Sequence, residues 1–350
     1  MAFDGITVAA IVQELKGALC QGRIAKIAQP EADELLLTIK TPAGQKRLYL
    51  SASASLPLIY LTEDNKPSPM TAPNFCMLLR KHIGNGRIVD VSQPGLERII
   101  QLDIEHLDEL GDPCRKKLMV EIMGKHSNII FCDTEDKIID SIKHVSAQMS
   151  SVREVLPGRT YFIPDTMGKE DPLTVDKDRF IQTLLAKAAA LGKALYTGFT
   201  GISPAAAEEI CALAGIDSSL PARELSPDVL THLYRQFSYY MEDIRKGAFH
   251  PVIYYDGKMP KDFSVLPMTH YSDYTTREFS SVSQMLATYC SLYPHVHINV
   301  FTDTIQNIYN TLKSYEADIA VVEGQIDHPD FTSVLLDTDY LCLAVAPGHR

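Results

Sequence analysis

No two of the seven cysteines form a C-x-x-C pair. They are scattered (Cys20, Cys76, Cys114, Cys132, Cys211, Cys290, Cys342) and odd in number. That pattern reads as reduced structural thiols in a cytosolic protein, not as a disulfide framework. The apolar runs are too short to span a bilayer, so no membrane partner is expected. The start, M-A-F-D-G-I-T-V, lacks a basic n-region, and no secretory signal is expected. There is no G-x-G-x-x-G after a strand and no G-x-x-x-x-G-K-[ST] loop. Gly124-Lys125 has neither the glycine spacing nor the following hydroxyl of a phosphate loop. A G-x-S-x-G elbow is missing, and the eleven histidines show no ligand-like cluster. No catalytic residue, metal or cofactor is therefore expected.

Positive charge is also short. The net charge is -11, with 44 acids against 33 bases, which argues against nucleic-acid binding by the whole surface. A local basic site remains open. Cations gather at Arg80-Lys81-His82, Arg115-Lys116-Lys117, Lys125-His126, Lys143-His144 and Arg153. The acid excess is concentrated after residue 290. A length of 350 residues suits two or three domains.

The stretch from Gly95 to Phe131 organises the chain. Arg98 to Ile104 largely alternates apolar and polar, as a half-buried strand does. A charged turn over 105–112 follows, then strands over 117–123 and 128–132. Glu97 and Arg98 stand at the entrance of this meander, and Gly124-Lys125-His126 at its second corner. Glu97 beside Arg98 sets an acceptor next to a planar fork of donors, suited to a polar or phosphorylated partner. Lys125 and His126 add a charge and a titratable ring. The bland alternative is a solvated ion pair and turn.

Ahead of the meander, Thr7 is the expected N-cap of a helix carrying Val8, Ile11, Val12, Leu15 and Leu19. Strands are expected over 34–40, 47–51, 57–62 and 87–91, with a helix over 73–83 on which His82 faces the core. Residues 137–142 close the β-rich region. Helices then follow around Phe180–Ala188, from Ser203-Pro204 to Gly215, and from Ser226-Pro227 to Gly247. A hairpin over 250–268 is expected to return to the first sheet, and another helix starts near Phe279.

Six ordered motifs resemble one family. They are Phe3–Gly5, Gly22–Pro30, Asn74–Ile83, Gly95–Ile99, Val120–Ile130 and Val155–Tyr161. Over residues 1–289 the chain resembles the N-terminal domain of the NFACT family, whose members act in ribosome-associated quality control. Bacterial members are also filed as fibronectin-binding proteins. The resemblance implies an α+β fold: a β-rich, sandwich-like part (1–169), a helix-hairpin-helix-like insertion (170–247), and a returning hairpin with the start of a truncated coiled coil (248–290). It implies binding of tRNA, alanyl-tRNA in bacterial relatives, on large ribosomal subunits with stalled nascent chains. There the nascent chain receives a C-terminal alanine tail, and the peptide-bond chemistry belongs to the ribosome. Asp4, Glu97 and Arg98 match the acid and the acid-arginine pair that the family uses for tRNA. The usual pair is Asp-Arg, and Glu97 is one methylene longer. Lys125, His126 and Arg153 are further candidates for phosphate or base-edge contacts. The family resembles formamidopyrimidine-DNA glycosylases in architecture. Their catalytic N-terminal proline is replaced here by Ala2, so neither glycosylase chemistry nor a DNA partner is expected.

From Leu292 the text changes. Y-P-H-V-H-I-N-V-F reads as a strand, 304–315 as a helix, and A-D-I-A-V-V-E-G as a second strand. Residues 291–350 resemble part of the α/β effector-binding domain of LysR-type regulators. In that family a polar βα turn helps bind a small molecule, which maps to Thr302, Asp303 and Thr304. The family's DNA-binding winged helix has no counterpart here. A fusion, frameshift or sequence join near residue 290 is the leading explanation. Two alternatives accompany the tRNA-binding reading: a LysR-like ligand-binding protein, and a fibronectin-binding surface protein.

Overall fold

The computed structural model describes residues 3–108, 110–164, 168–292, 307–308, 319–323, 332–335 and 341–345. The chain divides into two compact units, Met1–His295 and Val296–Arg350.

The first unit opens with helix α1 (Gly5–Leu19), which buries Val8, Ile11, Leu15 and Leu19 as its apolar spacing predicts. Its N-cap is Asp4, not Thr7. Asp4 Oδ1 accepts the Thr7 backbone N–H at 2.9 Å, and Thr7 lies inside the first turn. Strands β1 (Arg23–Ala28), β2 (Glu34–Thr41), β3 (Gly44–Ser51) and β4 (Leu58–Thr62) follow. Helix α2 (Asn74–Ile83) is next, then β5 (Arg87–Ser92), β6 (Ile99–Leu107), β7 (Pro113–Glu121), β8 (Asn128–Cys132) and β9 (Ile138–Ser141). These nine strands make one antiparallel sheet in the order β4-β3-β2-β1-β5-β6-β7-β8-β9.

The sheet curls back on itself. Lys143, just after β9, donates from Nζ to the carbonyl of Ala52, just after β3, although the two strands lie far apart in the sheet order. This curvature gives the β-rich part its sandwich-like character. Inside it, Leu37, Leu50, Leu102, Leu118 and Phe131 share one buried cluster with α1 and α2. His82 packs its ring 6.0 Å from that of Phe131.

The helical part comprises α3 (Lys177–Ala186), α4 (Leu191–Gly198), α5 (Pro204–Leu213) and α6 (Pro227–Lys246). Ser203 and Ser226 cap α5 and α6 from their side chains, with proline in the first turn of each. Gly247 ends α6 at φ 67°, in the left-handed region that glycine enters without steric cost. Phe180, Phe199 and Phe237 stack at the centre with ring centroids 4.6–5.2 Å apart.

The expected hairpin forms, as β10 (Val252–Asp256) and β11 (Met259–Ser264), but it does not rejoin the large sheet. Strand β10 sits between β11 and β12 (Thr275–Glu278) in a separate three-stranded sheet. Helix α7 (Val282–Leu292) follows, and Ser283 Oγ on it accepts the Leu61 N–H of β4 at 2.9 Å.

In the second unit, β13 (Ile319–Glu323), β14 (Thr332–Leu335) and β15 (Leu341–Val345) form an antiparallel sheet with β15 in the middle. The strand expected over 293–301, most of the helix over 304–315, and the candidate effector residues Thr302, Asp303 and Thr304 lie outside the described residues.

Candidate nucleic-acid interface

The site is built on a knot of backbone. Gly95 turns the chain at φ 51° between β5 and β6, bringing Leu96 inward and leaving Arg98 exposed. A Cβ on Gly5 would lie 2.0 Å from the Leu96 carbonyl oxygen and 2.6 Å from the Gly201 Cα. Gly201 itself, at φ 75°, leaves room for a Cβ only 2.2 Å from the same oxygen. The Gly5 N–H donates to the Gly201 carbonyl at 3.0 Å. Gln93 clamps the knot, its Nε2 donating to the carbonyls of Gly5 and Glu97, each at 2.8 Å. The start of α1, the turn joining α4 to α5, and the Glu97-Arg98 entrance thus touch through atoms that only glycine permits.

Asp4 belongs to this knot from the inside. Its Oδ2 accepts the Ser203 hydroxyl at 2.6 Å while Oδ1 caps α1. One carboxylate therefore ties the N-terminus of α1 to that of α5. Burial pushes the Asp4 carboxyl above the usual carboxylate range, against the hydrogen bonds from Ser203 and Thr7. Such a group positions the loop that carries Glu97 and Arg98.

The β6–β7 ladder brings the second corner to the same end of the sheet. Ile99 pairs with Glu121, and the Arg98 carbonyl accepts the Ile122 N–H at 2.8 Å. Lys125 and His126 follow in a single turn of 3-10 helix, both exposed. The turn is pinned by Ser127, whose Oγ accepts the Met123 N–H at 2.8 Å.

Arg153 reaches this end too, but as a brace. Its Nη2 donates to Glu121 Oε2 at 2.5 Å and its Nη1 to the Phe162 carbonyl at 2.7 Å. The Tyr161 hydroxyl donates to the other Glu121 oxygen at 3.0 Å. The Glu121 side chain is fully buried and that of Arg153 is 11% exposed. Expected as an RNA contact, Arg153 instead spends its guanidinium inside the protein.

Arg98 differs. It is exposed, and its guanidinium makes no hydrogen bond or ion pair among the described residues. Lys169, which motif reading did not single out, lies on the segment whose Asp171 carboxylate sits 3.7 Å from an ideal Cβ on Gly95. Lys169 is half-buried and donates from Nζ to the Tyr196 carbonyl at 3.0 Å. The next residue, Glu170, exchanges backbone hydrogen bonds with Gly198 and Thr200. Burial, and then the Arg98 charge, push the Lys169 ammonium below its usual value. Glu97 acts in the opposite sense, and Lys187 again downward. No sequence signal marks Lys169, because its placement depends on a bridge between Glu170 and Phe199. Among the described residues no group of acids, histidines and cysteines could hold a metal, and no helix is long and apolar enough to cross a membrane.

Comparison with known proteins gives these features a family. Residues 4–294 match the family model described as NFACT N-terminal and middle domains, and residues 276–350 match the LysR substrate binding domain. The Rqc2 homolog RqcH of Bacillus subtilis is 35% identical over 288 residues, covering 82% of this chain and 48% of that protein. The archaeal Rqc2 homolog of Methanocaldococcus jannaschii is 27% identical, covering 75% of this chain and 38% of that protein. The chain thus spans about half the length, or less, of the curated relatives it matches. Among solved structures, the N-terminal part of the fibronectin/fibrinogen-binding protein from Streptococcus suis aligns with a TM-score of 0.68 at 31% identity. That alignment covers 83% of this chain and 99% of the other. The fibrinogen binding protein from Staphylococcus aureus aligns with a TM-score of 0.68 at 28% identity, covering 82% and 98%.

Proposed function

The chain belongs to the NFACT N-terminal family, and from that premise we propose that it is the tRNA-engaging module of a ribosome quality-control factor. Relatives carrying the names Rqc2 homolog and Ribosome quality control complex subunit support the cellular role. The observation that carries the tRNA reading is Arg98: an exposed, unspent guanidinium held at a rigid backbone knot, with Lys125 and His126 at the same end of the sheet. A guanidinium so placed can stack on an unpaired base or hold a phosphate with two parallel bonds. In this reading the partners are alanyl-tRNA and the large ribosomal subunit with its stalled nascent chain. The chain contributes recognition and no bond-making chemistry, and alanine tailing draws on the ribosome's own peptidyl transfer.

Ultraviolet crosslinking of the purified full chain to tRNA, followed by peptide mapping, tests this. Adducts are expected on peptides from 95–126. Binding to immobilised fibronectin without any tRNA adduct would favour the surface-protein reading that the names of the solved relatives bring.

A further inference from the structure

At the opposite end of the β6–β7 ladder from Arg98, His106 pairs with Cys114 across the strands. Their side chains meet, with Cys114 Sγ 3.0 Å from His106 Nε2. The other ring nitrogen, Nδ1, lies 3.1 Å from the Leu107 carbonyl oxygen and 3.5 Å from the sulfur. A carbonyl only accepts. In the neutral ring Nδ1 therefore carries the proton, and Nε2 turns its lone pair to the thiol. A nucleophile, a base within reach and a third group that orients the base make the arrangement that activates a cysteine. Solvent reaches it. Strand β5 follows β6 only as far as Glu105, and β8 follows β7 only as far as Lys117. The pairs His106–Cys114 and Leu107–Pro113 stand as a two-stranded ribbon beyond the sheet, and both His106 and Cys114 are partly exposed. The turn beyond them is held by Asp108, whose Oδ1 accepts the Leu110 and Asp112 N–H groups at 2.8 and 2.9 Å. Glu105 is bound by Arg87 and Arg115. Helix α2, packed against β6, ends in Arg80, Lys81 and His82. Arg80 is spent on the Ile27 carbonyl, and His82 lies on Phe131. Lys116 shares the Cys114 face of β7 by strand period, and a cation there favours a thiolate. The other described thiols are inert by burial, which pushes those of Cys20 and Cys76 up and those of Cys132, Cys211 and Cys290 up to about 12.

We propose that Cys114, with His106 as its base, is a modification site that takes up small thiols by exchange with their disulfides. His106 Nε2 takes the thiol proton, and the Cys114 sulfur attacks one sulfur of R–S–S–R. A bond from Cys114 Sγ to that sulfur forms as the R–S–S–R bond breaks. The departing R–S⁻ takes the proton from Nε2 and leaves as R–SH. One disulfide is consumed and one mixed disulfide is made, so the small disulfide is the whole of the oxidant. A reduced thiol reverses the step by the same exchange. The adduct sits on the ribbon with Leu107 and Leu110, both exposed. Because Arg98 stands at the other end of the ladder, the inference is independent of the tRNA reading.

The test is the rate of mixed-disulfide formation on the reduced full chain with 2-hydroxyethyl disulfide, a neutral probe. Peptide mass spectrometry assigns each adduct to its cysteine. At pH 7 Cys114 should react faster than Cys20 and Cys290, the other two partly exposed thiols among the described residues. His106→Gln should slow Cys114 at least about fivefold at pH 7, because an unassisted thiol is only a few per cent ionised there. At about pH 9.5 the variant should approach the parent, since the thiol then ionises without a base. A purely structural role for His106 would leave the same gap at both pH values and would overturn the proposal. So would a Cys114 no faster than Cys20 and Cys290 in the parent, or a folded His106→Gln that reacts like the parent at pH 7. Circular dichroism checks folding. Should His106→Gln unfold, the ranking of the three thiols in the parent decides alone.

Discussion

The Leu96 carbonyl oxygen occupies the place where a side chain on Gly5 would start, 2.0 Å from an ideal Cβ. Backbone cannot retreat as a flexible side chain can. Gly5→Ala should therefore displace the Glu97-Arg98 loop and destabilise the chain by about 1–3 kcal/mol or more. Urea unfolding measures the loss. A Gly5→Ala variant as stable as the parent would mean the knot is looser than described.

Arg153 and Arg98 should separate cleanly. Removing Arg153 leaves Glu121 buried and charged with one partner, Tyr161, and should cost about 3–5 kcal/mol. Removing Arg98 from the surface should change stability by no more than about 0.5 kcal/mol. Urea denaturation of Arg153→Ala and Arg98→Ala gives both numbers. A near-neutral Arg153→Ala would return that residue to the list of RNA contacts.

Acid should loosen the attachment of α5 to the segment after β11. Glu209 of α5 is 1% exposed and accepts from Thr269 Oγ1 at 2.8 Å and from the His270 backbone N–H at 3.2 Å. His270 Nδ1 lies 2.8 Å from its Oε2 and donates, since a carboxylate only accepts. Burial opposes the charge, but the bonds from His270 and Thr269 outweigh it and hold the carboxyl below its ordinary 4.5. A lowered folded value stabilises fully above about pH 4.5, and that contribution is lost as pH falls through the folded value. Glu209→Gln should cost roughly 2 kcal/mol at pH 7, the scale of a charged hydrogen bond, and much less at pH 3. Thermal unfolding of parent and variant at both values checks the sign. A gap that widens in acid would contradict it.

Much of this architecture was legible in local chemistry. Ser203-Pro204 and Ser226-Pro227 announced two helices, Gly247 ended the second, and the apolar alternation of β6 to β8 marked the meander. The α1 cap went to Asp4 because both Asp4 and Thr7 can cap, and the choice depends on Ser203, 199 residues away. Strand β1 escaped notice because a register shift between Ile24 and Lys26 breaks its alternation. Helix α4 starts without a side-chain cap and contains two glycines, so nothing local marks it as a helix. The hairpin's separation from the large sheet reflects its pairing with β12, a short exposed strand with no apolar pattern.

The candidate site divides the same way. Glu97, Arg98, Lys125 and His126 stood out as charged residues at strand ends. Arg153 looked equivalent in sequence because nothing local shows that Glu121, mid-motif, faces it from the buried side of a strand. Lys169 carries no such signal, because only the fold sets its Nζ on the Tyr196 carbonyl.

The most direct test of the account is tRNA affinity of folded Arg98 and Glu97 variants at fixed, low salt, where the phosphate contribution is strongest. Arg98→Ala should lose on the order of 1–3 kcal/mol, about tenfold to a hundredfold in affinity. Arg98→Lys, which keeps the charge without the planar fork, should lose less. Glu97→Asp should bind like the parent. A folded Arg98→Ala that binds tRNA as tightly as the parent would contradict the account, because Arg98 is the residue on which the tRNA reading of this chain stands.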